Sequence, residues 1–186
     1  MDITKLQNQD RNEFKLMVQD HQDLVYNTVL SFVRNIEDAE DICQEVFVDA
    51  FHGLPKFKGE SSLKTWLYRL SVNAAMGYLR KQNRQKRAQF LTSLFAIEER
   101  EDISDFVHPG VQLENQERAI ILDKAIAKLP DKQMIAYRLR SFEDLDYETI
   151  AKVMETSLSS VESLLHRAKQ NLQKHLRIYY THNMID

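Results

Sequence analysis

The sequence predicts an all-α protein that consists of two small helical domains joined by a flexible linker. Apolar residues recur at spacings of three and four towards both ends of the chain, and an alternating strand pattern persists nowhere. Only four glycines and three prolines occur in 186 residues, so breaks between helices are few. Helical periodicity weakens over an acidic stretch in the middle. We therefore assign residues 1–87 and 119–186 to the two domains and residues 88–118 to the linker.

Three helices account for the first domain. The first covers residues 14–33, and the second covers residues 38–52 and ends at a glycine followed by a proline. Ser62 is placed to cap a third helix that runs from Leu63 to about Arg84. The side of this helix that we expect to be buried consists of Leu63, Leu67, Leu70, Ala74 and Tyr78. The three helices can pack as one small bundle.

A helix-turn-helix is predicted in the second domain. After two helices between residues 119 and 140, Asp146 can cap a short helix that covers residues 147–154. A tight turn leads to a last long helix, which starts near Ser159 or Ser160. Such a second helix enters the major groove of DNA when the pair acts as a helix-turn-helix. An ordinary pair of surface helices has the same periodicity, so periodicity alone leaves both interpretations open.

The last helix has an apolar and a polar face. The apolar side chains expected to face inward are Val161, Leu165, Ala168 and Leu172. The outward face carries hydroxyl, imidazole, guanidinium and amide groups at Ser159, Ser163, His166, Arg167 and Gln170. Groups of these kinds suit contacts to phosphates and to base edges.

Charge is segregated along the chain, although the net charge is only −3. On the second helix, Asp38, Asp41, Glu45 and Asp49 share one face, where like charges repel by roughly 0.2–0.5 kcal/mol per pair. A solvated face is the alternative to a basic partner, since the helix dipole favours acids near the N-terminus. The third helix ends in the basic run "RKQNRQKR", which is either solvated or in contact with phosphates.

A stripe of polar and aromatic residues lies on the third helix, and the short loop "FKGESS" precedes that helix. Trp66, Asn73 and Arg80 are spaced by seven residues and align on one stripe, with Arg69 alongside. Asn73 offers a donor and an acceptor for hydrogen bonds, and Gly59 permits a sharp turn. Trp66 is either a platform or a core-edge residue, and we favour packing.

Composition argues against an enzyme, a metal site and a membrane span. No apolar run approaches the length of a transmembrane helix, and the polar N-terminus lacks an apolar signal core, so we expect a cytoplasmic protein. Cys43 is the only cysteine, which excludes an internal disulfide and a multi-cysteine zinc site. Because the sequence also lacks a glycine-rich phosphate loop and helical His-Glu-His spacing, we expect no cofactor.

Two long segments resemble a known family. "DAEDICQEVF" and "FKGESSLKTWLYRLSVNAAMGYLR" resemble the promoter-binding domain of bacterial extracytoplasmic-function sigma factors. "LPDKQMIAYRLRSFEDLDYETIAKVMETSLSSVESLLHRAKQNL" resembles their C-terminal DNA-binding domain. The resemblance covers nearly the whole chain in the family's order. It implies an alternative sigma factor that binds core RNA polymerase, recognises and opens promoters, and is held inactive by an anti-sigma factor.

The resemblance also implies roles for particular residues. Docking on core polymerase is expected at Asp41, Gln44 and Glu45, with Asp38 and Asp49 as neighbours. Contacts to the −10 element are expected at Phe57, Lys58, Gly59, Glu60, Ser61, Ser62, Trp66, Arg69, Asn73, Arg80, Lys81 and Arg84. Contacts to the −35 element are expected at Ser159, Ser160, Ser163, His166, Arg167 and Gln170. The implied partners are core RNA polymerase, promoter DNA and an anti-sigma factor, and the free protein is expected to be a monomer.

The recognition helix departs from the family at two positions. Relatives often have a basic residue where this chain has Glu162, and often have arginine where it has Leu164. Both changes are expected to remove positive charge near the DNA. We therefore expect Ser163, His166 and Arg167 to carry more of the −35 contact.

Two other classes of protein remain possible on the residues alone. A conventional repressor or activator would use only the helix-turn-helix, with the N-terminal bundle as a sensor or dimerisation domain. A decoy would bind polymerase without opening DNA.

Overall fold

The structure is a computed structural model that describes the backbone of residues 1–93 and 113–182, and the side chains of residues 1–88 and 118–177. Within those ranges every regular element is a helix. The chain divides into two compact units, Met1–Ser104 and Asp105–Asp186. The predicted all-α, two-domain architecture is confirmed. Most of the predicted linker, residues 94–112, lies outside the described residues.

The described part of unit 1, residues 1–93, contains four α-helices: α1 (Ile3–Gln7), α2 (Arg11–Val33), α3 (Ile36–Gly53) and α4 (Leu63–Ser93). A 3₁₀ turn, Leu54–Lys56, follows α3 directly. Helices α2, α3 and α4 pack against one another, and α1 packs on the 3₁₀ turn. Fully buried side chains of this core include Met17, Val25, Val46, Leu54 and Leu67. The short helix α1 was not predicted, and α4 extends beyond the predicted end near Arg84.

Polar caps fix the helix boundaries that position the functional residues. The Ser62 hydroxyl accepts a hydrogen bond from the Thr65 amide at 3.0 Å, which confirms the predicted cap of α4. The Asn35 side chain accepts from the Asp38 amide at 2.9 Å and begins α3. Between α2 and α3, Arg34 adopts a left-handed conformation with φ of 59°, which turns the chain.

Helix α4 buries a wider arc than the predicted stripe. Leu63 and Leu67 are buried as predicted, whereas Leu70, Ala74 and Tyr78 are half-buried. Because α2 and α3 both pack on α4, the buried arc extends to a second set of side chains, namely Thr65, Trp66, Tyr68, Ser71, Val72, Ala75 and Met76. The Ser71 hydroxyl enters the core because it donates to the Leu67 carbonyl at 2.9 Å. The predicted single stripe is therefore wrong in its phase.

Unit 2 contains α5 (Leu113–Ala127), α6 (Asp131–Ser141), α7 (Tyr147–Val153) and α8 (Leu158–His182). Helix α8 packs against the other three helices. Its predicted inner face is confirmed, since the side chains of Val161, Leu165, Ala168 and Leu172 are all buried. The predicted cap of α7 is also confirmed.

Across the described ranges, the structure contains no helix with both the length and the apolar character that crossing a bilayer requires.

Candidate functional site

An acidic row lies exposed on α3. We use this name for Asp41, Gln44, Glu45 and Asp49, whose side chains are all exposed. Among the described side chains, the three carboxylates of this row form no ion pair. The row therefore places uncompensated negative charge on the surface of unit 1.

Asp38 belongs to the predicted docking set but differs in its surroundings from the acidic row. Its side chain is half-buried, and its carboxylate lies near the Tyr78 hydroxyl on α4. Burial and the nearby Asp38 carboxylate raise the pKa of Tyr78 to about 12. Asp38 thus links α3 to α4 within the domain, and the structure does not place it with the exposed carboxylates.

An apolar cleft flanks the acidic row, and the sequence analysis missed it. It has a volume of about 350 Å³ and is lined by Phe14, Phe47, Val48, Phe51 and His52. Val48 is 57% exposed and, together with the cleft lining, forms a contiguous apolar surface. The adjacent apolar pair at residues 47 and 48 of an otherwise amphipathic helix was the available signal. Cys43 on the same helix is half-buried, and burial raises the pKa of its thiol, which makes it less reactive.

The loop before α4 combines buried and exposed residues. Phe57 and Trp66 are each 8% exposed, and their ring centroids lie 5.2 Å apart. A Cβ atom at Gly53 would lie 2.9 Å from the Trp66 ring, so this ring fills the space beside α3. Both aromatic rings of the predicted −10 set are therefore packed inside unit 1. Neither offers an open platform to a base.

The exposed part of the loop is short. Lys58, Gly59, Glu60 and Ser62 are exposed and Ser61 is half-buried. Gly59 adopts a φ of +72°, a backbone conformation that residues other than glycine rarely occupy. The turn predicted at this glycine is present.

The outer side of α4 places polar groups beyond the loop. Asn73 is exposed and Arg69 is half-buried. Further along the helix lies a cationic end, the name used here for the exposed side chains of Arg80, Lys81, Arg84, Lys86 and Arg87. Arg84 Nε donates to the Arg80 carbonyl at 3.4 Å. Unit 1 thus carries an amide and a concentrated positive charge on one helix.

The outer face of α8 carries hydrogen-bonding groups. Ser159, Ser163, His166, Arg167 and Gln170 are exposed as predicted, and Ser160 is half-buried. The side chains of His166 and Gln170 approach to 3.0 Å, and Arg167 Nε donates to the Ser163 carbonyl at 3.2 Å. The structure brings all six residues of the predicted −35 set onto one helix over about three turns.

The two departures from the family differ in their positions. Leu164 is 8% exposed and is packed in the core of unit 2, so its side chain does not belong to the polar outer face of α8. The expectation that it removes charge near the DNA stays a prediction. Glu162 is exposed and lies beside a cleft of about 390 Å³ between α7 and α8. Two further carboxylates, Asp146 and Glu148, line that cleft together with Lys152. The start of α8 therefore has acidic surroundings.

The described residues contain no group of three or more His, Cys, Asp and Glu side chains that could hold a metal ion.

Comparisons with known proteins give a family match within each unit. The family model of sigma-70 region 2 matches residues 17–85, and that of sigma-70 region 4 matches residues 115–172. The chain is 32% identical over 184 residues to the RNA polymerase sigma-H factor of Pseudomonas aeruginosa, covering 94% of this chain and 92% of that protein. It is 31% identical over 170 residues to the ECF RNA polymerase sigma-E factor of Escherichia coli, covering 90% and 88% respectively.

Two solved structures share the fold. The sigma factor RpoE from Bartonella quintana, solved with the anti-sigma factor NepR, has a TM-score of 0.64 and 23% identity and covers 89% of this chain and 98% of its own. CnrH, solved with the cytosolic domain of CnrY, also has a TM-score of 0.64, with 19% identity and coverage of 95% for both chains.

Proposed function

Because the chain belongs to the extracytoplasmic-function sigma factors, a family of transcription initiation factors within the sigma-70 class, we propose how its two units divide the work. Unit 1 binds core RNA polymerase and opens the −10 element, and unit 2 reads the −35 element. The chain itself catalyses no reaction in this scheme and acts in the cytoplasm.

The acidic row is the proposed docking surface for core polymerase. Its carboxylates are exposed and lack local cations, so they repel one another in the free protein. A basic partner surface relieves that repulsion and increases the association rate. The adjacent apolar cleft adds area from which water is removed on contact.

The exposed loop and α4 are the proposed −10 surface. The loop encloses a base, Asn73 reads its edge, and the cationic end neutralises the backbone phosphates. Since Phe57 and Trp66 are packed in the core, their role in this scheme is to support the loop from below.

The outer face of α8 is the proposed −35 surface. The N-terminal residues of a recognition helix contact base edges in the major groove, and Ser159, Ser163 and His166 are exposed there. Arg167 follows one turn after Ser163 and supplies the positive charge that a phosphate or a guanine edge requires.

Regulation by an anti-sigma factor is also proposed. The related RpoE was solved with its anti-sigma factor NepR, and the present chain shares that fold. An inhibitor that covers the acidic row would compete with polymerase for the same surface.

One observation supports this scheme above the others: unit 1 carries an exposed acidic surface and an exposed cationic surface on two helices that pack together. Transcription from a library of double-stranded promoters, with purified core polymerase and this chain, tests the scheme. We expect initiation that requires both the chain and a matched promoter. A repressor would bind the promoters as a dimer without polymerase, and a decoy would bind polymerase without opening DNA.

A further inference from the structure

We propose that helix α1 positions the base-holding loop of unit 1, and that Gln7 is the positioning residue. The proposal rests on the −10 role of that loop. Helix α1 lies before residue 17, where the match to sigma-70 region 2 begins, so the matched region does not account for it.

A direct hydrogen bond joins α1 to the start of the loop. Gln7 Nε2 donates to the Phe57 carbonyl at 2.7 Å, across 50 residues of sequence, in a partly buried place. The neighbouring Leu6 is fully buried, and α1 packs on the 3₁₀ turn that precedes Phe57. An exposed five-residue helix is unstable alone, so its buried leucine and this bond hold it in place.

An N-terminal cap and a tight turn to α2 fix the two ends of α1 and give Gln7 a defined direction. The Asp2 side chain accepts from the amides of Thr4 and Lys5 and begins the helix. Gln9 then takes a left-handed φ of 57°, and Asp10 caps α2. Short, capped connections of this kind leave the Gln7 side chain little freedom to leave the loop.

The loop is fixed at its two ends and exposed between them. At the first end, the Phe57 amide donates to the Leu54 carbonyl at 3.0 Å, its ring packs on Trp66, and its carbonyl accepts from Gln7. At the second end, Ser62 caps α4. Only residues 58–61 remain between these anchors, so a shift of the Phe57 carbonyl is transmitted to the whole exposed segment.

Anchoring of this kind affects the binding of an unpaired base more than it affects folding. A loop that is already ordered loses less conformational entropy when a base enters it. Without Gln7 the Phe57 carbonyl turns towards water and the loop samples more conformations. The core beneath it remains closed, because Leu6, Leu54 and Trp66 still pack.

Gln7→Met removes the donor and keeps the length of the side chain. Gln9→Met is the matched control, because Gln9 Nε2 donates to the Phe51 carbonyl of α3 at 3.2 Å, away from the loop. The measurement is the affinity of the holoenzyme for fork DNA with a single-stranded −10 element, using the preferred −10 sequence and a single-base variant of it. Melting temperature and holoenzyme assembly are measured in parallel.

We expect Gln7→Met to weaken binding of the preferred −10 strand about 5–10-fold, the size of one lost hydrogen bond. Discrimination against the base variant should fall as well, whereas Gln9→Met should stay within about twofold of the wild type. A purely structural role would lower melting temperature and assembly without changing discrimination. Gln7→Glu, which cannot donate either, is the second variant and should reproduce the loss.

Three results would overturn the proposal. In the first, the wild type discriminates between −10 strands and both Gln7 variants match it; the positioning role is then wrong and the −10 role stands. In the second, Gln7→Met and Gln9→Met lose the same amount. In the third, the wild-type holoenzyme does not distinguish −10 strands at all, and the −10 role fails together with the positioning role.

Discussion

Unit 1 separates its charges onto two surfaces, whereas unit 2 mixes them on one. In unit 1 the acidic row on α3 and the cationic end of α4 are both exposed, and each has a single dominant sign. In unit 2, Glu162 and Arg167 lie five residues apart on the same exposed helix. Charge can therefore distinguish partners in unit 1 through long-range attraction and repulsion. In the scheme proposed for unit 2, selection depends on hydrogen bonds to base edges.

Removing the ring beneath the loop is expected to have the largest effect, and it should be confined to unit 1. Trp66→Ala leaves a cavity beside Gly53 and Phe57, and we expect the free energy of unfolding of unit 1 to fall by about 3–5 kcal/mol. Hydrogen exchange measured by mass spectrometry reports each unit separately. The hydrogen-exchange rates of peptides from unit 2 should be unchanged. The variant Trp66→Phe should retain most of the stability of unit 1. A loss below about 1 kcal/mol would identify Trp66 as an exposed platform instead.

The salt dependence of DNA binding should differ between the units. Replacing Arg80, Lys81 and Arg84 with glutamine should reduce the salt slope for single-stranded −10 DNA by about 2, at about 0.7 for each phosphate contact. Arg167→Gln should reduce the slope for duplex −35 DNA by only about 0.9. Titrations at several salt concentrations measure both slopes. Lys15→Gln at an exposed position on α2 is the control and should leave the slope unchanged; a decrease of about 0.7 there, equal to that for each residue of the cationic end, would show that the cationic end has no special role.

The negative charge of Glu162, at the start of α8, is expected to weaken binding to the −35 element. Glu162→Gln should strengthen binding of duplex −35 DNA by up to about fivefold, the range of one exposed charge interaction, and Glu162→Arg should strengthen it further. Equilibrium binding to −35 duplexes that differ by one base pair measures the change. Weaker binding by Glu162→Gln on one sequence alone would instead show that the carboxylate accepts a bond from a base, as carboxylates do from cytosine.

The smallest effect is expected in the pH dependence of unit 2. Hydrogen bonds from the Thr149 amide at 2.7 Å and the Thr149 hydroxyl at 2.9 Å lower the pKa of Asp146. Because the pKa of Asp146 is lower in the folded than in the unfolded protein, its ionised carboxylate stabilises unit 2 at pH values above the unfolded-state pKa, which is near 4. This stabilisation is lost as the pH falls through the folded-state pKa.

Asp146→Asn keeps an acceptor for the Thr149 amide and removes the titration. Thermal unfolding between pH 2.5 and about 6 should therefore show a smaller acid loss for this variant. Parallel curves for the two proteins would mean that the Asp146 carboxylate is not stabilised by these bonds.

The long helices α4 and α8 show what the sequence could predict. Helix α8 is buried along one stripe, so the spacing of Val161, Leu165, Ala168 and Leu172 located its inner face correctly. Helix α4 is covered by α2 and α3 together, and part of its buried surface is polar, as at Ser71. The spacing of apolar residues alone therefore predicted the wrong side of α4 as the centre of its buried surface.

Contacts between distant parts of the chain could not be predicted from local patterns. The Asp38–Tyr78 contact joins residues 40 positions apart, and the Gln7–Phe57 bond joins residues 50 apart. Helix α1 escaped prediction because five residues with one buried side chain show no period. The exposed groups of the acidic row and of α8 were predictable, because their spacing alone places them on one helical face.

Reversing the charge of the acidic row is the decisive experiment. The variant Asp41→Lys with Glu45→Lys is compared with Asp20→Lys with Asp23→Lys, which makes the same change of net charge at exposed positions on α2. Affinity for core polymerase and melting temperature are measured for both. We expect the first variant to bind core enzyme on the order of 100-fold more weakly at an unchanged melting temperature, and the second to bind like the wild type. Normal assembly by the first variant would disprove the docking surface on α3.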